Sequence, residues 1–134
     1  MSDQNQAIIE EFRANSGKVG GYFEGKTLLL LTHTGAKSGA QRITPLVYTT
    51  DGDRLVITPT NAGADTNSAW YHNVIAHPGV TVEVGTDTFP VTAKVVEDRA
   101  ERDRLYAGFV AAIPTFADYE KKTDRVIPVV VLER

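Results

Sequence analysis

The chain has 134 residues, enough for one domain with a real core, and its 42% hydrophobic and 23% charged residues exclude a disordered reading. A formal net charge of -3 argues against a nucleic-acid partner, whose binding depends on neutralising phosphates. With no cysteine, disulfides, thiolate metal sites and a cysteine nucleophile are excluded together, and the cytoplasm is the expected compartment.

The chain starts MSDQNQAIIEEF, with acidic and amide residues where a secretory leader carries positive charge. The longest apolar runs, residues 28–31 and 129–132, fall far short of the ~20 residues that cross a bilayer, so no transmembrane segment is expected. Asn5 is placed to cap a short helix with Ile8, Ile9 and Phe12 on one face, ended by Asn15, Ser16 and Gly17. Packing on the body of the domain is its expected role; a lid or a weak membrane-surface contact is the alternative.

Residues 27–34 and 42–50 read as strands, and Asp51-Gly52-Asp53 turns into a third strand over 54–60. Pro45 lacks an amide donor, which places its strand at an edge or a bulge. After a loop over 61–65, Asp65 or Thr66 caps a helix that runs to about Ala76 and ends at Pro78-Gly79. Residues 80–84 and 88–96 form a hairpin about Gly85, with Val80, Val82 and Val84 facing inward. Asp98 and Glu101 have capping-box spacing and open a helix with Leu105, Phe109, Ala112 and Ile113 on one side, up to Pro114. A short helix over 116–122 leads to a last strand over 127–132. About six strands with inserted helices predict an α+β or barrel-like domain over residues 1–134, with 1–20 as an N-terminal helix and linker. No GxGxxG follows a strand, so a Rossmann dinucleotide site is not indicated.

The segment LTHTGAKSGAQRITPL, residues 31–46, joins the first two strands through a basic, glycine-containing loop. It is not a P-loop: Ala36 and Leu31 stand where that motif needs glycine, and a strand, not a helix, follows. Two readings stay open. Gly35 and Gly39 can turn the backbone into a nest of amides for an anion, with Ser38 adding a hydroxyl and Lys37 and Arg42 adding charge. Alternatively the segment is a solvated hairpin with incidental basic residues.

The segment SAWYHN, residues 68–73, holds the only tryptophan. Aromatic residues on a helix are more often core than ligand contacts, which would bury Trp70, leave Tyr71 and His72 at the surface or boundary, and pack Asn73 at the same turn. His72 and His77 are five apart, off the helical register for a shared metal, and with His33 they are the only histidines; no metal site is expected. Tyr119 offers a phenol near the last strand, which could orient or protonate a substrate or simply pack. Asp124 and Arg125 could pair on the surface or brace that segment.

The ordered set LLLLTHTGAKSG, R-x-x-PL at residues 42–46, WYHN at 70–73, HPGVTVEV at 77–84 and DY…TDRVIPVVVLE ending at Glu133 resembles the deazaflavin-dependent nitroreductase family. Its members are small F420-dependent reductases with a split β-barrel fold. The resemblance covers about residues 27–133. It implies that Ala36, Lys37, Ser38 and Arg42 hold the phosphate and acidic tail of coenzyme F420. It also implies that Ile43, Thr44, Pro45, Leu46 and Val47 run beside the deazaflavin ring. Thr58, Pro59, Thr60 and Asn61, with Ala69, Trp70, Tyr71, His72 and Asn73, would close round the rest, together with Phe116.

Nitro-reducing members tend to carry several tyrosines in the segment matching 113–119, where this chain has Ile113, Phe116 and Tyr119. Thr60 stands where a serine is common. The resemblance therefore implies hydride transfer from reduced F420 to a quinone, an enone or a nitro-type acceptor, with efficient nitroreduction disfavoured. Tyr119 and Thr60 are the expected acceptor-side hydroxyls, with Tyr119 or solvent as proton source. The rivals are an FMN-binding oxidoreductase of the same fold and a non-catalytic barrel that carries a cofactor. The expected partner is a small-molecule acceptor, and the chain is expected to be a monomer or a homodimer.

Overall fold

The computed structural model describes residues 3–20, 27–60 and 67–134. Within them the order is α1 (Asp3–Ala14), β1 (Leu28–Thr34), β2 (Gln41–Val47), β3 (Thr49–Asp51), β4 (Arg54–Ile57), α2 (Ala69–Ala76), β5 (Gly79–Val84), β6 (Asp87–Val95), α3 (Arg99–Ala112), α4 (Thr115–Lys121) and β7 (Val130–Glu133). All strand pairs are antiparallel, in the order β2-β1-β5-β6-β7-β4-β3. The two ends of that order, β2 and β3, are separated in the chain by Tyr48 alone. A flat sheet cannot place consecutive residues at opposite edges, so the sheet curls back on itself. It is an α+β split barrel.

That curl accounts for the main departure from the expected strands. A single strand over 42–50 is in fact β2 and β3, broken where the Tyr48 amide turns to donate to the Thr27 carbonyl at 3.2 Å. Seven strands replace the expected six. Pro45 does lie on an edge strand, opposite Leu30. The strand expected over 54–60 stops at Ile57, because the next groups bond elsewhere: the Thr58 hydroxyl donates to the Pro128 carbonyl at 2.6 Å, and Arg125 takes the Pro59 and Thr60 carbonyls. The last strand starts at Val130, not Ile127, for the same reason, since Arg102 Nε holds the Ile127 carbonyl at 2.8 Å.

Three clusters form the core. Inside the barrel, Leu29, Leu31, Ile57, Val80, Val82, Val91 and Leu132 meet Trp70 and Val74 of α2. On the outer face of β1, Leu28 and Leu30 pack under Ile9 and Phe12 of α1, with Ile8, Ile43 and Val47 at the margin. Because both faces of β1 are covered, its first four residues form an unbroken buried run and not an alternating one. The third cluster joins Leu105, Tyr106 and Phe109 of α3 to Phe116, Ile127, Val129 and Val131.

The helix ends also correct details. Helix α1 begins at Asp3, so Asn5 sits in its first turn and not at its cap. It ends as expected at Ser16 and Gly17, both at positive φ (57° and 96°), with the Gly17 amide donating to Phe12 at 2.8 Å. A side chain at Gly17 would also bring its Cβ within 2.9 Å of Gly85. Arg13 then clamps α1 to β5 through a two-point bond with Glu83. Helix α2 begins at Ala69 behind Ser68; the expected caps Asp65 and Thr66, the loop over 61–65 and the site candidate Asn61 lie outside the described residues. In α3 the Asp98 side chain accepts the Glu101 amide at 3.0 Å, but Ala112 is exposed, and the buried face is Arg102, Leu105, Tyr106 and Phe109.

Candidate functional site

The basic segment is the loop of the β1–β2 hairpin, closed by the His33–Arg42 and Thr34–Gln41 pairs. Within it the Gly35 amide donates to Ala40 at 2.8 Å, and the Gly39 amide to Gly35 at 3.0 Å. Gly39 adopts φ 70°, where a side chain is disfavoured. Gly35 serves a different need, since a Cβ there would come within 2.5 Å of Ser38 Oγ. The Ala40 amide donates to Ser38 Oγ at 3.2 Å, and the Ala36 amide to Asn73 Oδ1 at 2.9 Å. The glycine nest expected from the sequence therefore does not form: those amides shape the loop itself. Of the loop's amides, those of Lys37 and Ser38 take no partner among the described residues.

What the loop does present is charge. Gly35, Ala36, Lys37, Ser38 and Arg42 form one wall of an open groove of about 720 Å³, and Ala69, His72 and Asn73 of α2 form the other. Lys37 and Arg42 are both exposed, and neither meets a carboxylate among the described residues. Among the described residues, no carboxylate lines the groove. Two cations without a carboxylate partner among the described residues, a serine hydroxyl and two amides without a partner there suit an anion such as a phosphate or an acidic tail.

Beneath the groove runs a buried polar chain that connects the loop to the barrel. Asn73, buried on the α2 face that carries Trp70 and Val74, accepts from Ala36 and places its Nδ2 3.0 Å from His33 Nδ1. His33 Nε2 lies 2.9 Å from Thr44 Oγ1 on β2. Burial, followed by the nearby Arg42 charge, lowers the His33 pKa and favours the neutral ring. Sequence reasoning gave His33 no role. Its signal was present: His33 follows Leu29 and Leu31 on the interior face, and Asn73 occupies a core position of α2, two polar residues where apolar ones belong.

The remaining candidates separate. Five consecutive residues of one strand cannot face one ligand: Ile43 and Val47 pack towards α1, whereas Thr44 reaches His33 and Leu46 packs against the barrel interior. Pro45 is half-buried between them. Trp70 is core, and Tyr71 is half-buried edge-on to both Trp70 and His72, its phenol pKa raised by burial. Thr58 is buried with its hydroxyl committed to Pro128. Arg125 braces the segment by donating to the Pro59 and Thr60 carbonyls and to Asn67 Oδ1.

Phe116 and Tyr119 are not on the groove. Phe116 is buried, stacked on Phe109 at 5.1 Å, and Tyr119 is half-buried 5.4 Å from Phe116 with Lys122 over its ring. The groove thus gathers Ala36, Lys37, Ser38, Arg42, Ala69, His72 and Asn73, while Thr60, Phe116 and Tyr119 belong to the neighbourhood of α4 and the segment before β7.

The fold is a split barrel whose first hairpin carries a cationic groove. The F420H(2)-dependent quinone reductase family model matches residues 5–134, and the chain belongs to that family. An F420H(2)-dependent quinone reductase of Mycobacterium tuberculosis is 37% identical over 129 residues, covering 92% of this chain and 85% of its own. The solved structure of an F420-H2 dependent reductase, FDR-A, superposes with a TM-score of 0.73 at 37% identity, covering 80% of this chain and 94% of that one. A structure described as a domain-swapped dimer matches with a TM-score of 0.75 at 33% identity, covering 98% of this chain and 95% of its own. The chain is accordingly an F420-dependent oxidoreductase, as its sequence resemblance implied.

Proposed function

We propose that this chain reduces a quinone, with the acidic tail of coenzyme F420 lying in the groove between the 35–40 loop and α2. The observation that carries the reading is the pair of cations, Lys37 and Arg42, that meet no carboxylate among the described residues, on a wall where no described carboxylate stands. When bound, reduced F420 supplies the hydride. The protein's part is to hold the tail: Arg42 can fork onto a phosphate or carboxylate, Lys37 adds a point charge, and the Ser38 hydroxyl with the Lys37 and Ser38 amides completes the donors. Thr44 and Leu46, on the inner face of β2, offer a surface for the ring, and the buried core behind them keeps water from that side.

The acceptor side is assigned to Thr60 and Tyr119. Arg125 supports this by tying the Thr60 carbonyl to the segment that follows α4, so both hydroxyls belong to one region of the fold. Quinone reduction adds a hydride and a proton, and Tyr119 or solvent delivers the proton. Ile113 and Phe116 supply no phenol, which favours quinones or enones over nitro compounds. The continuous sheet supports residues 1–134 acting as one unit. Among the described residues no helix is long and apolar enough to cross a membrane, and a cytoplasmic protein acting on small acceptors is the reading offered. The domain-swapped relative supports a homodimer.

Turnover of a soluble quinone by purified protein with reduced F420, followed by cofactor absorbance, tests this reading. F420-dependent quinone reduction that is absent with reduced FMN is the expected result. Absence of turnover with tight F420 binding would instead make the chain a cofactor carrier.

A further inference from the structure

We infer that His33 and Asn73 form a positioning relay for the cofactor's anionic end: an uncharged His33 with its proton on Nε2 orients Asn73, and Asn73 holds the 35–40 loop through Ala36. The inference rests on the proposed seating of the F420 tail in the groove.

The assignment follows from donor and acceptor rules. The Ala36 amide can only donate, so the atom 2.9 Å from it must be the Asn73 oxygen. The Asn73 NH2 then faces His33 Nδ1 at 3.0 Å, and Nδ1 must be the lone-pair nitrogen. The ring proton therefore sits on Nε2 and is donated to Thr44 Oγ1 at 2.9 Å. One tautomer satisfies all three bonds. An imidazolium would set N–H against N–H at Nδ1 and turn the Asn73 side chain round, removing the acceptor from Ala36.

The groups around the relay favour that neutral state. Arg42 pairs with His33 across the hairpin, Lys37 stands on the loop, His72 stands on α2, and among the described residues no carboxylate lines the groove. Burial of His33 acts in the same direction. The relay joins β1, β2, α2 and the loop, and so sets the distance between the Lys37 and Ser38 amides, which take no partner among the described residues, and the Arg42 guanidinium. A loop released at Ala36 keeps its charges but loses their spacing.

The test combines nitrogen-15 NMR of the imidazoles with fluorescence titration of oxidised F420. In the wild type near pH 7, His33 should show the neutral Nε2–H pattern. In Asn73→Asp, the carboxylate accepts from Ala36 and demands a proton from the ring, so His33 should switch to Nδ1–H or to imidazolium. In Asn73→Leu the Ala36 amide loses its acceptor, and affinity for F420 should fall about fivefold or more, the scale of one lost buried hydrogen bond. His33→Asn restores an oxygen near the Nδ1 position and should bind within about twofold of wild type, whereas His33→Leu should lose about fivefold. A wild-type His33 carrying its proton on Nδ1, or undiminished affinity in Asn73→Leu, overturns the relay. Arg42→Ala in the same titration reports on the seating itself: unchanged affinity there overturns the groove as the tail site, whereas a normal Arg42 effect beside an indifferent Asn73→Leu overturns the relay alone.

Discussion

Arg42 and Arg102 carry the same guanidinium in opposite circumstances. Arg102 is buried on α3, where Nε donates to the Ile127 carbonyl at 2.8 Å, Nη1 to Asp103 and Nη2 to Glu120 at 3.0 Å, and the plane lies 4.5 Å from the Tyr106 ring centroid. Arg42 stands exposed on β2 with no carboxylate partner among the described residues. The same contrast runs through both regions. On the α3 side, Arg54 and Arg104 share Asp51 and Glu101 in a closed ionic cluster, while Lys37 and Arg42 face a groove without acidic residues among the described ones. Charge that holds the fold is neutralised within the fold, whereas Lys37 and Arg42 are left for whatever the groove holds.

Substitutions on the two sides should separate stability from binding. Arg102→Ala leaves the Ile127 carbonyl without its donor and opens space beside Tyr106. Because Asp103 and Glu120 are partly solvated, the expected loss is about 2–4 kcal/mol, seen as a drop in Tm of roughly 10 °C with F420 affinity retained. Arg42→Ala should do the reverse. F420 affinity falls by about 1.5–3 kcal/mol through loss of a charge-assisted bond, while unfolding midpoints stay within about 0.5 kcal/mol of wild type. Calorimetry beside a fluorescence titration checks both, and a variant that moved both quantities together would break the division.

Tyr119→Phe sharpens the assignment of the α4 region. The ring and its packing on Phe116 persist, so a change in kcat reads the phenol alone. A fall of about 10–100-fold in quinone reduction with F420 affinity unchanged is expected if the phenol assists protonation. Wild-type turnover would make Tyr119 a packing residue and solvent the proton source.

The smallest effect concerns the closed cluster. Hydrogen bonds from Arg104 and then Arg54 hold the Asp51 carboxyl at about 2, below its ordinary value of 3.8. A lowered folded-state pKa contributes stability above the ordinary value, and that contribution is lost as pH falls from about 4 to about 2. The cluster is solvent-accessible, so Asp51→Asn should slightly flatten the acid limb of a Tm-against-pH curve and leave neutral stability nearly unchanged.

Much of this contrast was legible before the fold. The glycine-flanked basic loop, the hairpin about Gly85, the edge position of Pro45 and the Asp98 cap all follow from local chemistry. What was not legible depended on groups distant in sequence. The break at Tyr48 exists because the sheet closes on itself, and alternation through residues 42–50 carries no trace of that. The face of α3 was misread at Ala112 because its repeat includes Arg102, a charge buried only because Ile127 and Glu120 are there to receive it. The glycine nest failed for a similar reason. Asn73, 37 residues away, takes the Ala36 amide, and the loop's own carbonyls and Ser38 hydroxyl take others.

The central claim, that Lys37 and Arg42 are left open for the cofactor's acidic tail, is tested most directly by the salt dependence of F420 affinity in wild type and Arg42→Ala. Exposed charges that bind an anion are screened by added salt. The wild-type affinity should therefore fall as salt rises, with a steeper slope than in Arg42→Ala, and the two should converge at high salt. Equal affinities and equal slopes would contradict the account and return the 35–40 loop to a solvated turn.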